Sequence, residues 1–261
     1  MMAHSLTVRS AGADLHVETH GLNAEAVFVH GVDGDLSTWD DVWRALGDRL
    51  PALRYDLRGF GRSVARGDDA FDHAEDLLAV LNALGIARCD LIGGSMGGSI
   101  ALNFALDHPA RVRNLVLISP GLVAWEWSEE WRALWRAITD QARAGAMEEA
   151  KRLWWEHPLF RSTRDSPAGP ALLQTIQRFS GGQWIADHQR PKMPDVERLH
   201  ALETRTLLLT GGQDMEDFRL IADLITAIAP DVTRIDHPAQ GHMLHLEDPE
   251  TCAREILAFL R

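Results

Sequence analysis

The chain has 261 residues, 46% of them hydrophobic, which is enough to bury one sizeable core in a single α/β domain with insertions. Its formal net charge of −12, without a basic run, argues against binding to nucleic acid or to an anionic membrane surface. The twelve histidines are scattered and no zinc-type spacing occurs. We therefore expect no metal ion and no other cofactor.

The cysteines and the N-terminal sequence bear on the compartment. Cys89 and Cys252 lie far apart in apolar contexts typical of buried free thiols, which suits a reducing environment. The N-terminus lacks the pattern of a signal peptide, and no apolar run reaches about 18 residues. We expect a soluble cytoplasmic protein that acts on a small molecule, with no nucleic-acid or membrane partner; a homodimer is compatible with the chain.

Strand and helix patterns alternate along most of the chain. An opening hairpin is predicted from strands at 6–8 and 15–17. Six more strands are predicted at 26–30, 53–56, 89–93, 113–118, 205–210 and 232–236, and helices near 38–49, 72–85, 97–107, 216–229 and 249–260. This alternation predicts an α/β fold with a mostly parallel eight-stranded sheet and helices on both faces. Ligands of such sheets bind beyond the carboxyl ends of the strands.

The first predicted parallel strand runs into a glycine-containing loop, His30-Gly31-Val32-Asp33-Gly34. The glycines allow the backbone to turn beneath a substrate, so that the Val32 N–H could donate a hydrogen bond to it. We interpret His30 as a support for this loop rather than as a base, and Asp33-Gly34 as a turn pair.

The segment Gly93-Gly94-Ser95-Met96-Gly97-Gly98 joins a predicted strand to a predicted helix. A serine at the tip of such a sharp turn needs small residues two positions away on each side, and Gly93 and Gly97 supply them. The turn directs the Met96 N–H into the space above the serine, beside the positive end of the helix dipole. The pattern predicts a nucleophile elbow in which the N–H groups of Met96 and Val32 form an oxyanion hole.

Between Pro120 and about residue 202 the strands stop, and three helical patterns follow one another. We interpret residues 121–202 as a helical cap inserted into a core domain made of residues 1–120 and 203–261. Large aromatic rings in such a cap either attach it to the sheet or line an apolar pocket above Ser95. The residues predicted for this pocket are His30 and seven of the nine tryptophans, Trp125, Trp127, Trp131, Trp135, Trp154, Trp155 and Trp184.

Candidate acid and base residues follow the serine in the chain. Asp214 comes directly after the predicted strand at 205–210, and His242 lies in a Gly-His loop before the last helix. Along the chain the order is Ser95, Asp214, His242. This order differs from the orders in which serine, histidine and aspartate follow one another in other folds that use such a triad. Glu126 is an alternative acid. Three neighbours are interpreted otherwise: Glu216 and Asp217 as first-turn helix residues, and His245 as a surface residue.

A further motif, Asp56-Leu57-Arg58-Gly59-Phe60-Gly61-Arg62-Ser63, completes a set that runs from His30 to Pro249. With these motifs the chain resembles serine hydrolases of the α/β-hydrolase fold. The resemblance implies Ser95 as nucleophile, His242 as base, Asp214 as orienting acid, and Val32 and Met96 as oxyanion amides. The layout is most similar to enol-lactonase and esterase-like members with a helical cap.

The function expected from these features is hydrolysis of a carboxylic ester or lactone of a small to medium apolar substrate through an acyl-enzyme on Ser95. Two alternatives stay open at this stage, because the fold hosts several chemistries. One is a carbon–carbon bond hydrolase acting on a ring-cleavage product, and the other is a ligand-binding protein with little turnover.

Overall fold

The computed structural model describes residues 4–20, 23–32 and 34–261, and these form one mixed β-sheet surrounded by helices. The strands in the described ranges are β1 (His4–Ser10), β2 (Ala13–His20), β3 (Ala26–Val29), β4 (Ala52–Tyr55), β5 (Val64–Ala65), β6 (Cys89–Gly94), β7 (Val112–Ile118), β8 (Thr206–Gly211) and β9 (Val232–His237).

The sheet order is β1-β2-β4-β3-β6-β7-β8-β9. All neighbours from β4 to β9 pair in parallel, whereas β1, β2 and β4 pair antiparallel. The prediction of a mostly parallel sheet is confirmed. The predicted number of strands needs one correction within the described ranges, since the two-residue β5 pairs with β2 as a ninth strand. A strand of two residues is too short to produce a periodic pattern.

The helices in the same ranges are α1 (Asp40–Leu46), α2 (His73–Ala83), α3 (Met96–Asp107), α4 (Glu129–Arg143), α5 (Met147–Glu156), α6 (Arg161–Arg164), α7 (Gly169–Arg178), α8 (Gly182–Ile185), α9 (Asp195–Arg198), α10 (Glu216–Ile228), α11 (Leu244–Glu247) and α12 (Pro249–Phe259). Short 3-10 turns flank several of them.

The sheet separates two hydrophobic cores because alternate residues of a strand point to opposite faces. In β3, Val27 and Val29 belong to one core, and Ala26 and Phe28 belong to the other. The first core also contains residues of α2, α3 and α10, and the second contains residues of α1 and α12. Helices on both faces explain why the central strands are continuous apolar runs.

Residues 121–202, which we call the helical segment, lie between β7 and β8 and are all described. The sequence predicts three helices there, but the structure has six α-helices, α4 to α9. Three of them, α6, α8 and α9, are only four residues long. Glycine and proline divide the segment; for example, Gly181 adopts a left-handed φ of 74° directly before α8. Apolar periodicity alone does not show such short helices.

One edge of the sheet carries the polar residues that the sequence analysis selected. Ser95 follows β6, Asp214 follows β8, and His242 lies in the loop after β9. The loop that contains Val32 follows β3. The carboxyl ends of parallel strands lie at the same edge of a sheet. Residues as far apart in the chain as 30 and 242 therefore meet at this site.

Candidate active site

Ser95 occupies a sharp turn between β6 and α3. Its φ of 53° and ψ of −121° are unusual for a residue with a side chain, and its N–H donates to the Ile118 carbonyl at 2.9 Å. A Cβ on Gly93 would lie 2.2 Å from the Gly97 carbonyl oxygen, and a Cβ on Gly97 would lie 2.2 Å from the Val29 carbonyl oxygen. The two glycines are therefore required for the strand, turn and helix to approach one another. The geometry is that of a nucleophile elbow.

Ser95, His242 and Asp214 form a hydrogen-bonded chain. Nε2 of His242 lies 2.8 Å from Ser95 Oγ, and Nδ1 lies 2.9 Å and 3.0 Å from the two carboxylate oxygens of Asp214. Because an ionised carboxylate only accepts hydrogen bonds, Nδ1–H donates to Asp214, and Nε2 accepts from the Ser95 hydroxyl. All three residues are buried. The arrangement can move a proton from Ser95 Oγ to His242 as the hydroxyl attacks an electrophile.

The two candidate acids occupy different environments. Asp214 also accepts a hydrogen bond from the Met215 N–H at 2.7 Å, which fixes the orientation of its carboxylate. Glu126 is exposed, and within the described residues the ring nitrogens of His242 bond Asp214 and Ser95. The geometry thus places Asp214, and not Glu126, against the histidine.

Val32 and Met96 both border the cavity next to Ser95. Met96 is the first residue of α3, so its backbone N–H has no acceptor within the helix. Asp33, which the sequence analysis assigned to a turn, lies outside the described residues.

His30 lies beneath this loop and is fully buried. Its Nδ1–H donates to the Gly31 carbonyl at 2.8 Å, and its Nε2 accepts from the Leu57 N–H at 2.9 Å. Both ring nitrogens are used, so His30 connects the loop after β3 to the loop after β4. The prediction that His30 lines the pocket is wrong, because the ring lies behind the loop and not at the cavity wall.

A cavity of about 610 Å³ opens above Ser95. Its apolar wall includes Trp127, Trp131 and Trp135, together with Phe218 of α10. The Trp127 and Trp131 rings stack with centroids 4.6 Å apart, and the Trp131 and Trp135 rings follow at 6.2 Å. The three rings thus form one continuous stack, although Trp127 precedes the first residue of α4. The wall beside Ser95 is therefore largely apolar and aromatic.

Four other tryptophans predicted for the pocket do not line it. Trp154 and Trp184 are fully buried and pack edge to face with centroids 6.1 Å apart, so they hold the helical segment together. Trp125 donates its indole N–H to Asp217 at 3.0 Å, and Trp155 lies against the Arg164 guanidinium. Spacing along the sequence could not separate these structural rings from those at the cavity, because rings of both kinds occur on amphipathic helices, Trp131 on α4 and Trp154 on α5.

Two carboxylates that the sequence analysis did not select connect the helical segment to the loops of the site. Asp217 accepts hydrogen bonds from Trp125 Nε1, from the Ser128 N–H and from Ser128 Oγ. Glu247 accepts from the Gly241 N–H at 2.7 Å, and from the hydroxyls of Ser162 and Thr163. Asp217 was interpreted only as a first-turn helix residue, and no sequence signal marked Glu247.

Two further histidines pack near His242. His245, predicted at the surface, is buried against the Trp39 ring with centroids 4.5 Å apart. Burial, with a smaller effect of His242, lowers the pKa of His245 to about 3. Burial likewise lowers the pKa of His157 to about 4, and its ring packs against Trp131. The prediction for His245 is wrong because α11 turns this residue inward under the elbow.

A second cavity of about 490 Å³ lies between the edge of β2 and α7. Half of the residues in its walls are charged, but most of these charges pair with one another. Arg54 bonds Glu18 at 2.8 Å and Asp40 at 2.6 Å, and Arg178 lies 3.5 Å from Asp35. We therefore take the cavity at Ser95 as the candidate active site.

Within 4–20, 23–32 and 34–261, no helix is long and apolar enough to cross a membrane. In the same part of the chain, no cluster of three or more histidine, cysteine, aspartate or glutamate side chains could hold a metal ion.

A parallel sheet with a serine elbow, and with a carboxylate and a histidine in later loops, is the arrangement of the α/β hydrolases. The chain belongs to this family: a family model described as alpha/beta hydrolase fold matches residues 27–249.

Comparison with known proteins shows which members are similar. The chain is 34% identical over 245 residues to 2-succinyl-6-hydroxy-2,4-cyclohexadiene-1-carboxylate synthase of Klebsiella pneumoniae (strain 342), covering 89% of this chain and 93% of that protein. It is 28% identical to a pimeloyl-[acyl-carrier protein] methyl ester esterase of Nitrosomonas europaea, covering 91% and 96%. The enol-lactonase from Burkholderia xenovorans LB400 matches with a TM-score of 0.83 and 19% identity, covering 98% of this chain and 99% of that one. This last likeness concerns the fold alone.

Proposed function

We propose that this protein is a serine hydrolase that cleaves a carboxylic ester or lactone of a small to medium, largely apolar substrate. The observation that carries the proposal is the hydrogen-bonded chain from Ser95 through His242 to Asp214, which opens onto a cavity walled by tryptophan. The similarity to a methyl ester esterase over 91% of the chain supports the same chemistry.

In the first half of the reaction, Ser95 Oγ attacks the carbonyl carbon while His242 Nε2 takes the hydroxyl proton. Asp214 stabilises the imidazolium that forms. The carbonyl oxygen becomes an oxyanion that accepts hydrogen bonds from the Val32 and Met96 N–H groups, each worth roughly 3 kcal/mol in comparable enzymes. The carbon–oxygen bond then breaks, and His242 gives its proton to the departing alcohol.

In the second half, a water molecule gives a proton to His242 and attacks the acyl-enzyme. The Ser95 ester bond breaks, the serine oxygen recovers its proton from His242, and the carboxylic acid leaves. For a lactone the same steps apply, except that the alcohol remains attached to the acyl group until hydrolysis is complete.

We further propose that residues 121–202 act as a cap on a core domain made of residues 1–120 and 203–261. Trp127, Trp131 and Trp135 belong to this segment and form the wall opposite Ser95. A wall of this kind excludes water and selects substrates by shape. The hydrogen bonds of Asp217 and Glu247 to the segment support a fixed position of the cap over the site.

A second candidate function follows from the similarity to the Klebsiella synthase. A carboxylate product such as the one in that name needs cations, and Arg132 and Arg136 border the cavity. Both guanidiniums are about half exposed and already bond Glu129, at 3.0 Å and 2.7 Å. Because their charge is partly neutralised, we rank this candidate second. It predicts turnover in the synthase assay that disappears in an Arg132→Gln/Arg136→Gln variant.

The proposal is tested by turnover of aryl esters, acyl thioesters and lactones of graded size by the wild-type protein and by Ser95→Ala. We expect turnover that Ser95→Ala abolishes, and wild-type labelling by a fluorophosphonate, detected as a mass increase on the peptide that contains Ser95. Labelling without turnover, or a single burst of product, would favour a narrowly specific enzyme or a binding protein. Turnover that Ser95→Ala retains would contradict the mechanism.

A further inference from the structure

A small pocket, which we call the side pocket, opens from the main cavity between α2, α3 and the stretch from Gln189 to Lys192. Its polar lining consists of His73, Ser99, Asn103, Gln189 and Lys192. Its volume of about 70 Å³ corresponds to roughly two water molecules at their liquid volume.

The side pocket continues directly from the site at Ser95. Met96, Ser99, Val123 and Gln189 line both cavities, so one bound molecule could occupy both. Ser95, Ser99 and Asn103 are spaced by four residues and follow one face of α3. With a helical rise of about 1.5 Å per residue, Ser99 and Asn103 lie about 6 Å and 12 Å along the axis from the reactive serine.

Two buried side chains in the side pocket each have a polar atom without a hydrogen-bond partner among the described residues. Asn103 and His73 are each only 2% exposed. Asn103 Nδ2 donates to Asp195 at 3.0 Å, but Oδ1 has no hydrogen-bond partner in the described part of the chain, and neither has Nδ1 of His73. A buried polar atom without a partner is unfavourable, and such atoms in proteins are normally satisfied by water or by a ligand.

The charges around the side pocket favour an uncharged ligand group. The Lys192 ammonium pairs with Asp72, and burial, the largest effect, lowers the pKa of His73 to about 3, so that His73 is neutral at pH 7. Asp195 behind Asn103 pairs with Arg198 at 2.6 Å. With the nearby charges paired, a carboxylate would lose its hydration without meeting a free cation.

We propose that the side pocket binds a neutral hydrogen-bonding group, a hydroxyl or a carboxamide, carried by the substrate about 6 to 12 Å from the reacting carbonyl. A hydroxyl hydrogen on this group would be donated to Asn103 Oδ1. The inference rests on the proposed function because the bound molecule is the substrate, and it makes that substrate bifunctional: apolar against the tryptophans, polar at one end.

The test separates binding from catalysis. Ser95→Ala, which is expected to bind without turnover, is titrated with paired ethyl esters of graded chain length, one ending in a hydroxyl and the other in a methyl group. Binding is followed by tryptophan fluorescence, since Trp127, Trp131 and Trp135 line the cavity. A parallel series carries the hydroxyl on the alcohol side of the ester, which identifies the end of the substrate that enters the side pocket.

At one chain length we expect the hydroxyl ester to bind more tightly than its methyl partner, although its hydroxyl must leave water. Adding Asn103→Leu should shift the ratio of the two Kd values about tenfold toward the methyl ester, the size of effect expected when one buried hydrogen bond is lost. Ser99→Leu, which fills the junction of the two cavities, should do the same without disturbing the bond from Asn103 to Asp195. Asn82→Leu, the same exchange on the exposed face of α2, is the matched control.

The proposal is overturned if the hydroxyl ester binds no more tightly than its methyl partner at any chain length in either series. It is also overturned if this preference for the hydroxyl ester persists in both Asn103→Leu and Ser99→Leu. Either result would show that the side pocket holds only water. Turnover of the same esters by wild-type protein is read separately. If the hydroxyl preference is present but nothing is hydrolysed, the proposed function fails while the side pocket stands. If the esters are hydrolysed without a hydroxyl preference in binding, the reverse holds.

Discussion

Glu247 accepts a hydrogen bond from the backbone N–H of Gly241 at 2.7 Å, one residue before His242. The same carboxylate accepts the hydroxyls of Ser162 and Thr163, which belong to the helical segment. One side chain therefore connects the histidine loop with the segment that walls the cavity. The position of the proposed base and the position of the proposed cap are coupled through Glu247.

We expect Glu247→Ala to lower kcat and stability together. The partly buried Gly241 N–H would lose its hydrogen-bond acceptor, which lowers the free energy of unfolding by about 1–3 kcal/mol. The His242 ring would also lose its fixed position, which lowers kcat. Glu247→Gln keeps one carbonyl oxygen as an acceptor, so its kcat and its stability should lie between those of wild type and Glu247→Ala. The measurements are steady-state kinetics and urea unfolding, with exposed Glu250→Ala as control. Unchanged kcat in Glu247→Ala would contradict the coupling.

Asp214→Asn should reduce kcat by about 10³- to 10⁴-fold with little loss of stability. An amide at this position can donate to Nδ1, which favours the tautomer that cannot accept the Ser95 proton. Glu126 is exposed and outside hydrogen-bond contact with His242, so Glu126→Gln should retain turnover within about twofold, the scale of a surface substitution. Kinetics of the two variants on one ester compare the alternative acids directly. A large loss in Glu126→Gln alone would transfer the acid role to that residue.

Trp131→Ala should raise KM for aryl esters about tenfold and change kcat less. The ring stacks on Trp127 and borders the cavity, so its removal takes away apolar contact made equally in the ground state and the transition state. Trp155→Ala removes a half-buried ring of the same helical segment that does not line the cavity. Equal effects of the two exchanges on KM would show that the tryptophans act only through folding.

The buried histidines should make the protein less stable below neutral pH. Burial lowers the pKa of His245 to about 3, whereas an imidazole in the unfolded chain titrates near 6.5. Between these values the unfolded state binds one more proton, so the contribution is complete above about pH 6.5 and decreases as the pH falls toward 3. The expected slope is about 1.4 kcal/mol per pH unit for each such histidine.

His245→Phe tests this dependence because phenylalanine keeps the contact with Trp39 and cannot take up a proton. In this variant the free energy of unfolding, measured with urea between about pH 6 and pH 5, should fall less steeply with decreasing pH than in wild type, by the contribution of one proton. The remaining dependence on pH comes from His73 and His157, whose pKa values burial also lowers. The same exchange at exposed His200 controls for the added phenylalanine. Identical slopes in wild type and His245→Phe would refute the assignment.

The sequence by itself determined the sheet, the elbow and the chain order of the three residues at the site. Continuous apolar runs predict strands buried on both faces, and β3, β6 and β8 lie where those runs occur. A Cβ on Gly93 would overlap the backbone of Gly97 within the turn itself, and a Cβ on Gly97 would overlap the Val29 carbonyl at the end of the neighbouring strand β3. These are properties of short segments and of the edge that parallel strands share.

Only the tertiary structure decided which side chains of the helical segment meet the site. Trp131 and Trp154 look alike in sequence, but one borders the cavity and the other is fully buried, because short helices broken by glycine and proline pack at angles that periodicity does not encode. The partners of Asp217, Glu247 and Asn103 lie between 6 and 92 residues away along the chain. Such contacts depend on how distant elements pack, and that arrangement is a property of the whole fold.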